Sequence, residues 1–399
     1  MHSNGKASGV IQWSPKPSGT VMPAIRVAFL NHVGSSIGGA ERTLATFLKH
    51  KPTDVFATVI LFEDGPFAEA VRALDIDVSI VEAPKAVMST QRERLGAAAV
   101  LGVPALAVSV ARVLRRLRVD VLYTNSMKAH IVGSVAGRLS NVPCVMHFHD
   151  IIEGTGLRIL RFVARVGSTR RVACSQTVST HIGVGATTVV FGPIEAHEYT
   201  DLPSPERART RLGVDPQLPT VSLVGRINRW KGQDRFVRIA GEVAARRPVQ
   251  FLIVGSPMFR DADFLPELEA MVRDGGLEHV VRFVPWVDDV RDVYAATDIN
   301  ANCSTREPLG RTPAEAAAAG IPSVVFDDSG AAEWMRTSGE GRVVPAWDER
   351  RFADAIVELL DEGAATHLRS TEIRRSAQRF DADTIAAEMA AVMRQAVRR

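Results

Sequence analysis

Two fixed cations stand in the segment VGRINRWKGQD (224–234), where Arg226 and Lys231 each adjoin a glycine just after an apolar run. A guanidinium fork and an ammonium point charge at a strand-to-helix junction suit a phosphate or diphosphate. A solvated basic loop has the same composition. A second stretch, REPLGRTPAEAAAAGIP (306–322), places Glu307 and Glu315 eight positions apart, with a turn and the start of a helix between them. Two carboxylates there suit sugar hydroxyls while the turn's N–H groups face phosphate; the plainer account is that acidic residues favour a helix start. A third, NHVGSSIGGAER (31–42), carries Gly34, Gly38 and Gly39. Glycine lets a backbone approach an anion at a helix N-terminus, yet the spacing is neither G-x-G-x-x-G nor a Walker loop, and a tight turn explains it equally.

These segments need elements to hold them. Short apolar runs alternate with longer amphipathic ones. Strands are expected at 25–31, 57–62, 119–125, 143–149 and 171–175, with helices such as 39–50 between them. A second series is expected at 220–226, 249–255, 280–286, 298–304, 322–328 and 341–346, with helices at 233–247 and 314–320. Such βαβ alternation implies parallel sheets covered on both faces. The Pro-rich, polar stretch 191–206 reads as a linker. The fold class is therefore α/β, with two Rossmann-like domains facing each other across a crevice, and ligands beyond the carboxyl ends of the strands. The expected division is a disordered tail over 1–23, a first domain over 24–197 completed by a C-terminal helix at 384–399, and a second over 198–383.

Bulk properties narrow the class. A length of 399 residues allows two or three domains. A net charge of +3 gives no case for nucleic acid. Cys144, Cys174 and Cys303 fit neither a zinc motif nor a disulfide framework, so a reducing cytoplasm is the expected location. The tail lacks the apolar core of a signal peptide. Residues 95–111 carry no charge for 17 positions, but Pro104 and many small residues favour a buried helix over a membrane span.

Taken in order, Gly-Gly-Ala-Glu after the first strand, Gly-Arg…Lys-Gly, and Glu-x7-Glu followed by Ala-x-Gly-x-Pro resemble the GT-B family of retaining glycosyltransferases often called family 4, or glycosyl transferases group 1. The likeness covers the chain from about residue 25 onward. It implies a nucleotide-diphosphate-sugar donor, retention of configuration, and no cofactor or metal. Arg226 and Lys231 would bind the diphosphate, Glu315 the ribose and Glu307 the transferred sugar. Backbone N–H groups at Leu309 and Gly310 would meet sugar or phosphate, and Gly38 and Gly39 would let the first domain close over the phosphates. His149, at the end of CVMHFHD, matches the family histidine that faces the sugar, with His147 on the same strand face. The family's Asn-Gly pair after the first domain is here FGPIE (191–195), a departure that touches the linker contacts.

The acceptor is expected in the first domain. Asn125, Ser126 and His130 in TNSMKAH (124–130) lie at a strand end and suit a polar acceptor. Residues 92–118 carry six Arg and one acid, and 157–171 five Arg and no acid. Interleaved with apolar residues, such a helix suits an anionic bilayer; solvated arginine faces are the alternative. A sugar or lipid-linked acceptor, a cell-envelope glycan among them, and peripheral contact with the inner face of the plasma membrane follow from the first reading. Asp-x-Asp occurs at 75–77, 261–263 and 381–383, none within the expected donor site. Rival readings are a sugar-nucleotide epimerase of the same architecture, a non-catalytic nucleotide-sugar-binding protein, and a dinucleotide oxidoreductase, the last weakened by the missing glycine fingerprint.

Overall fold

The computed structural model of the chain describes residues 23–397, apart from 89–96, 258–260, 262, 288, 340 and 364–365. The expected tail lies outside the described residues except for Pro23. Two compact units emerge. One comprises the chain through Cys174, Ser179–Val190 and the stretch from Ala387; the other comprises Ser175–Val178 and Phe191–Ala386.

The first unit is built on a seven-stranded sheet: β1 (Ile25–Asn31), β2 (Val55–Leu61), β3 (Asp77–Ile80), β4 (Val121–Thr124), β5 (Cys144–Phe148), β6 (Arg170–Ala173) and β7 (Thr188–Val189). Their order is β3-β2-β1-β4-β5-β6-β7, and every pairing is parallel. The strands β1, β4 and β5 are buried almost throughout, Arg26 excepted, as mainly apolar sequences are in a sheet covered on both faces. Phe29 centres the core, with Phe47 and Tyr123 each 5.3 Å away between ring centroids. From Ala97 on, the charge-free stretch is part of a covering helix, Ala97–Leu117, whose Leu106, Val110 and Leu114 are buried.

The second unit holds six strands: β8 (Thr220–Val224), β9 (Gln250–Val254), β10 (Val281–Val284), β11 (Ile299–Asn302), β12 (Ser323–Phe326) and β13 (Gly341–Val344). The order β10-β9-β8-β11-β12-β13 is again wholly parallel. Phe236 on the helix Gln233–Ala244 packs on Phe251 of β9, and Phe352 packs on Phe326 of β12. The stretch 191–206 starts at the division between the units, and its first half is anchored: Ile194 and Tyr199 are buried in the core of this unit, and Ile194 N donates to Phe380 O. Each sheet winds outward in both directions from its first strand, and its switch point falls between β1 and β4, or between β8 and β11.

Candidate active site

The switch point of the second sheet explains why two distant motifs meet. β8 and β11 are neighbours in register, Ser222 beside Asn300, so the chain leaving each strand emerges at the same carboxyl edge. From β8 come Gly225, Arg226 and a short 3-10 turn, Arg229–Lys231; from β11 comes the loop to Gly310. Asn228 caps the turn, its side-chain oxygen accepting from Lys231 N at 3.1 Å. Gly232 then takes φ 74°, and a Cβ there would sit 2.2 Å from the Cys303 carbonyl. No side chain could occupy the junction without pushing the two loops apart.

Lys231 Nζ reaches Glu307 Oε2 at 2.7 Å, and both side chains are largely buried. The ammonium also lies 4.2 Å from the centroid of the Trp230 ring. Glu307 is held by its backbone: its carbonyl accepts from Gly330 N at 2.7 Å, and Thr305 N donates to Trp230 O at 3.0 Å. Arg226, two residues beyond β8 and half-buried, has its carbonyl accepting from Gln233 Nε2 at 2.8 Å.

The helix Arg311–Ala319 begins where expected between the two glutamates, three residues earlier than its alanine run suggested. Its run of buried alanines favours helix and allows close packing. Gly310, at φ 82°, packs against Ala331, so this helix start and that of Gly330–Ser338 converge behind Leu309. Glu315, on the buried face, accepts from Tyr294 Oη at 2.9 Å through Oε2. Its Oε1 lies 2.8 Å from Arg311 Nε, close but off line for a hydrogen bond. Burial and then the neighbouring carboxylate push the Tyr294 hydroxyl well above its usual range, so it stays a donor. Each Glu315 oxygen keeps a lone pair for a further donor.

The first unit gathers its polar residues at its own switch point. His32 follows β1, Asn125 follows β4 and His149 follows β5. His149 Nε2 lies 2.8 Å from Asn125 Oδ1, while Asn125 Nδ2 donates to Ala40 O at 3.1 Å. A carbonyl can only accept, so the Asn125 amide is oriented, and Nε2 of His149 must carry the proton. Burial lowers the pKa of the half-buried imidazole to about 4, against the opposing pull of Asp150, which favours the neutral ring with Nδ1 as its acceptor. His147 lies beside it, ring centroids 3.9 Å apart and planes tilted by 45°, with Tyr123 Oη 2.6 Å from its Nδ1. Burial, and then His149, lowers the His147 pKa well below the ordinary value.

Of the residues expected near an acceptor, Asn125 is buried and spent on His149 and Ala40, and Ser126 is 2.8 Å from His32 Nδ1. His130 is buried, its Nδ1 2.7 Å from Thr124 Oγ1 and its ring against Phe148; burial, then His149 and His32, lower its pKa to about 3. It supports the strand end from below, a placement that a lone histidine on an amphipathic helix does not disclose. Gly38 caps the helix Gly39–His50, its N–H donating to Glu41 Oε2 at 3.0 Å; a Cβ on Gly39 would meet open space. Sequence reasoning passed over His32, Tyr123 and Tyr294. His32 alone left a signal, standing directly after β1 and before the glycine loop.

Among the described residues no group of three or more His, Cys, Asp or Glu is arranged to hold a metal ion. Two family models match the chain, one described as Glycosyltransferase Family 4 over residues 37–183 and one as Glycosyl transferases group 1 over 218–362. The chain belongs to this glycosyltransferase family. A D-inositol 3-phosphate glycosyltransferase of Rhodococcus opacus is 32% identical over 183 residues, 44% of this chain and 40% of that protein. The namesake from Kineococcus radiotolerans is 32% identical over 234 residues, 54% and 53% of the two chains. The chain thus spans about half, or less, of the length of these curated relatives. Anabaena HepE, solved in complex with UDP and also with UDP-glucose, is 27% identical in the UDP complex, with a TM-score of 0.79 over 92% of this chain and 99% of that one. Sucrose-phosphate synthase from Thermosynechococcus elongatus, 19% identical with a TM-score of 0.75 over 93% of this chain and 98% of that one, shares the fold. The chain has the GT-B fold of this family, two parallel-sheet α/β domains of seven and six strands.

Proposed function

We propose that this glycosyltransferase moves a sugar from a nucleotide-diphosphate sugar to an acceptor hydroxyl, with retention of configuration and without a metal. The observation that carries the reading is the contact of Lys231 with Glu307 across 76 positions of sequence. A cation and a sugar-binding carboxylate side by side suit the junction of diphosphate and sugar. The complexes of HepE with UDP and UDP-glucose make uridine diphosphate sugars the first donors to test.

In this scheme Arg226 and Lys231 meet the negative charge that gathers on the leaving diphosphate, the main electrostatic task of the reaction. Leu309 and Gly310 offer N–H groups to sugar or phosphate, Glu307 takes sugar hydroxyls and Glu315 a ribose hydroxyl. The bond from the anomeric carbon to the leaving phosphate oxygen breaks, and its electron pair stays on that oxygen. The acceptor oxygen bonds to the same face of the carbon, and its proton passes to a phosphate oxygen of the leaving group. His149 faces the sugar as a neutral acceptor, steadied by Asn125 and His147. Gly38 and Gly39 keep the first helix start bare enough for a phosphate to approach, and Ser126 lies toward the acceptor. The acceptor is a sugar or a lipid-linked glycan of the cell envelope, the latter drawing on the acid-free helices of the first unit. That several relatives are named for a phosphorylated inositol makes a polar anionic acceptor a second class to try.

A thermal-shift panel of UDP-, GDP-, ADP- and dTDP-sugars, followed by transfer assays and the anomeric configuration of the product, tests the reading. One nucleotide family should stabilise the chain and Glu315→Ala should abolish that shift. Activity should survive EDTA. Indifference to every donor, or loss with EDTA and recovery with manganese, would overturn the corresponding part.

A further inference from the structure

Three neighbouring helices of the first unit, Ala97–Leu117, Met127–Ser140 and Gly154–Gly167, contain no Asp or Glu at all. They pack side by side. The last two approach so closely that a Cβ on Gly167 would sit 2.2 Å from that of Ser134. Arginines stitch their final turns together: Arg115 donates to Leu139 O, and Arg138 donates to Val166 O.

The outward stripe of the third helix is Arg158, Phe162, Arg165 and Val166, spaced so that all four share one face. The opposite face, with Leu160, Val163 and Ala164, is buried. Phe162 is 65% exposed, more than any other large apolar side chain among the described residues. On the adjoining helix Val135 and Leu139 are exposed too, with Arg138 between them. Water gains nothing from a bare phenylalanine between two cations. A bilayer interface accommodates both, because the ring enters the headgroup boundary while the guanidinium groups stay with lipid phosphates. A protein partner would need acids for the arginines and a pocket for the ring. A lipid surface supplies anions and apolar depth everywhere along the stripe.

We infer that this face docks the enzyme on an anionic lipid bilayer, with Phe162 as the inserting side chain and Arg158 and Arg165 as its phosphate contacts. The inference deepens the lipid-linked acceptor of the proposed function by naming the surface, and vesicle binding tests it without any sugar transfer. No helix among the described residues is long and apolar enough to cross a membrane, so the contact is peripheral.

The test is sedimentation of the full chain with vesicles of phosphatidylcholine alone or mixed with phosphatidylglycerol. At low salt the wild type should pellet with the anionic vesicles and stay in solution with the neutral ones. Phe162→Ser should weaken binding about tenfold or more, and Arg158→Glu with Arg165→Glu about fivefold or more for each charge. All three residues are exposed, and the one bond at stake, from Arg165 to Gly183 O, is long at 3.4 Å, so melting temperatures should hold. In Phe162→Trp, vesicles should blue-shift emission beyond the wild-type background. Absence of binding to anionic vesicles at low salt would overturn the inference. So would binding that ignores both variants, or a lipid-free dimer abolished by Phe162→Ser, which would make a second copy the occupant. A chain that binds vesicles yet transfers no sugar would retain this surface and discard the donor reading.

Discussion

Lys231→Ala is the most informative change at the proposed donor site, because one substitution should have two separable effects. In the folded chain the Lys231 ammonium is 2.7 Å from Glu307 Oε2, and the Glu307 side chain is only 8% exposed. Truncating Lys231 leaves that carboxylate buried without its counter-charge. Breaking a buried pair from one side costs about 3 kcal/mol or more. For a domain of this size, that lowers the melting temperature by about 6–12 °C. In the proposed mechanism the same substitution removes a cation from the leaving group, worth about 10²–10³ in kcat for a single well-placed stabiliser. The double variant Lys231→Met, Glu307→Gln separates the two. A neutral pair of similar volume no longer strands a charge, so most of the thermal loss should be recovered. Transfer should not recover, since no ammonium has returned. Calorimetry and a donor-turnover assay on the wild type, both singles and the double read this directly. A Lys231→Ala protein melting within about 2 °C of wild type would show that the pair does not hold the loops together. Restored transfer in the double would remove Lys231 from the diphosphate.

Two further outcomes follow from the first unit. Gly39→Ala should fold as stably as wild type or slightly better, because its Cβ would enter open space at a helix start, whereas Gly34→Ala should destabilise strongly, its Cβ meeting Glu63 O at 2.1 Å; if Gly39→Ala transfers sugar at the wild-type rate, the bare helix start has no phosphate to admit. Acid should destabilise this unit through its histidines. The His149 and His130 pKa values are lowered to about 4 and about 3 from the ordinary 6.5, so the unfolded chain takes up protons first, and stability present above pH 6.5 is lost as pH falls toward those values. Melting temperatures across that range should fall, and less steeply in His149→Asn; an unchanged slope would mean that His149 titrates freely in the folded state.

Most of the fold was legible because a buried parallel sheet writes itself as apolar runs. All six strands of the second unit, and five of the seven in the first, lie within or across the expected segments. The two missed are edge pieces. β3, Asp77–Ile80, is only half-buried and mixes polar with apolar residues, and β7 is two residues long, so neither carries a sustained pattern. The stretch 191–206 begins where the two units divide, and its prolines and charges outnumber the two apolar residues, Ile194 and Tyr199, that anchor its first half, so sequence alone does not show that half packed.

Sequence by itself determined the residue types, their order and the strand-to-helix junctions on which Arg226, Lys231, Glu307 and Glu315 stand, since these depend on local pattern and period. Tertiary structure alone decided who touches whom. The adjacency of β8 and β11, absent from any local pattern, turns 76 positions of separation into the 2.7 Å contact of Lys231 with Glu307. The adjacency of β1, β4 and β5 does the same for His32, Asn125 and His149. It also decided which histidines are reachable, burying His130 while leaving His149 half-open. Pairing between strands is a long-range choice, made by the packing of whole sheets, and no window of neighbouring residues contains it.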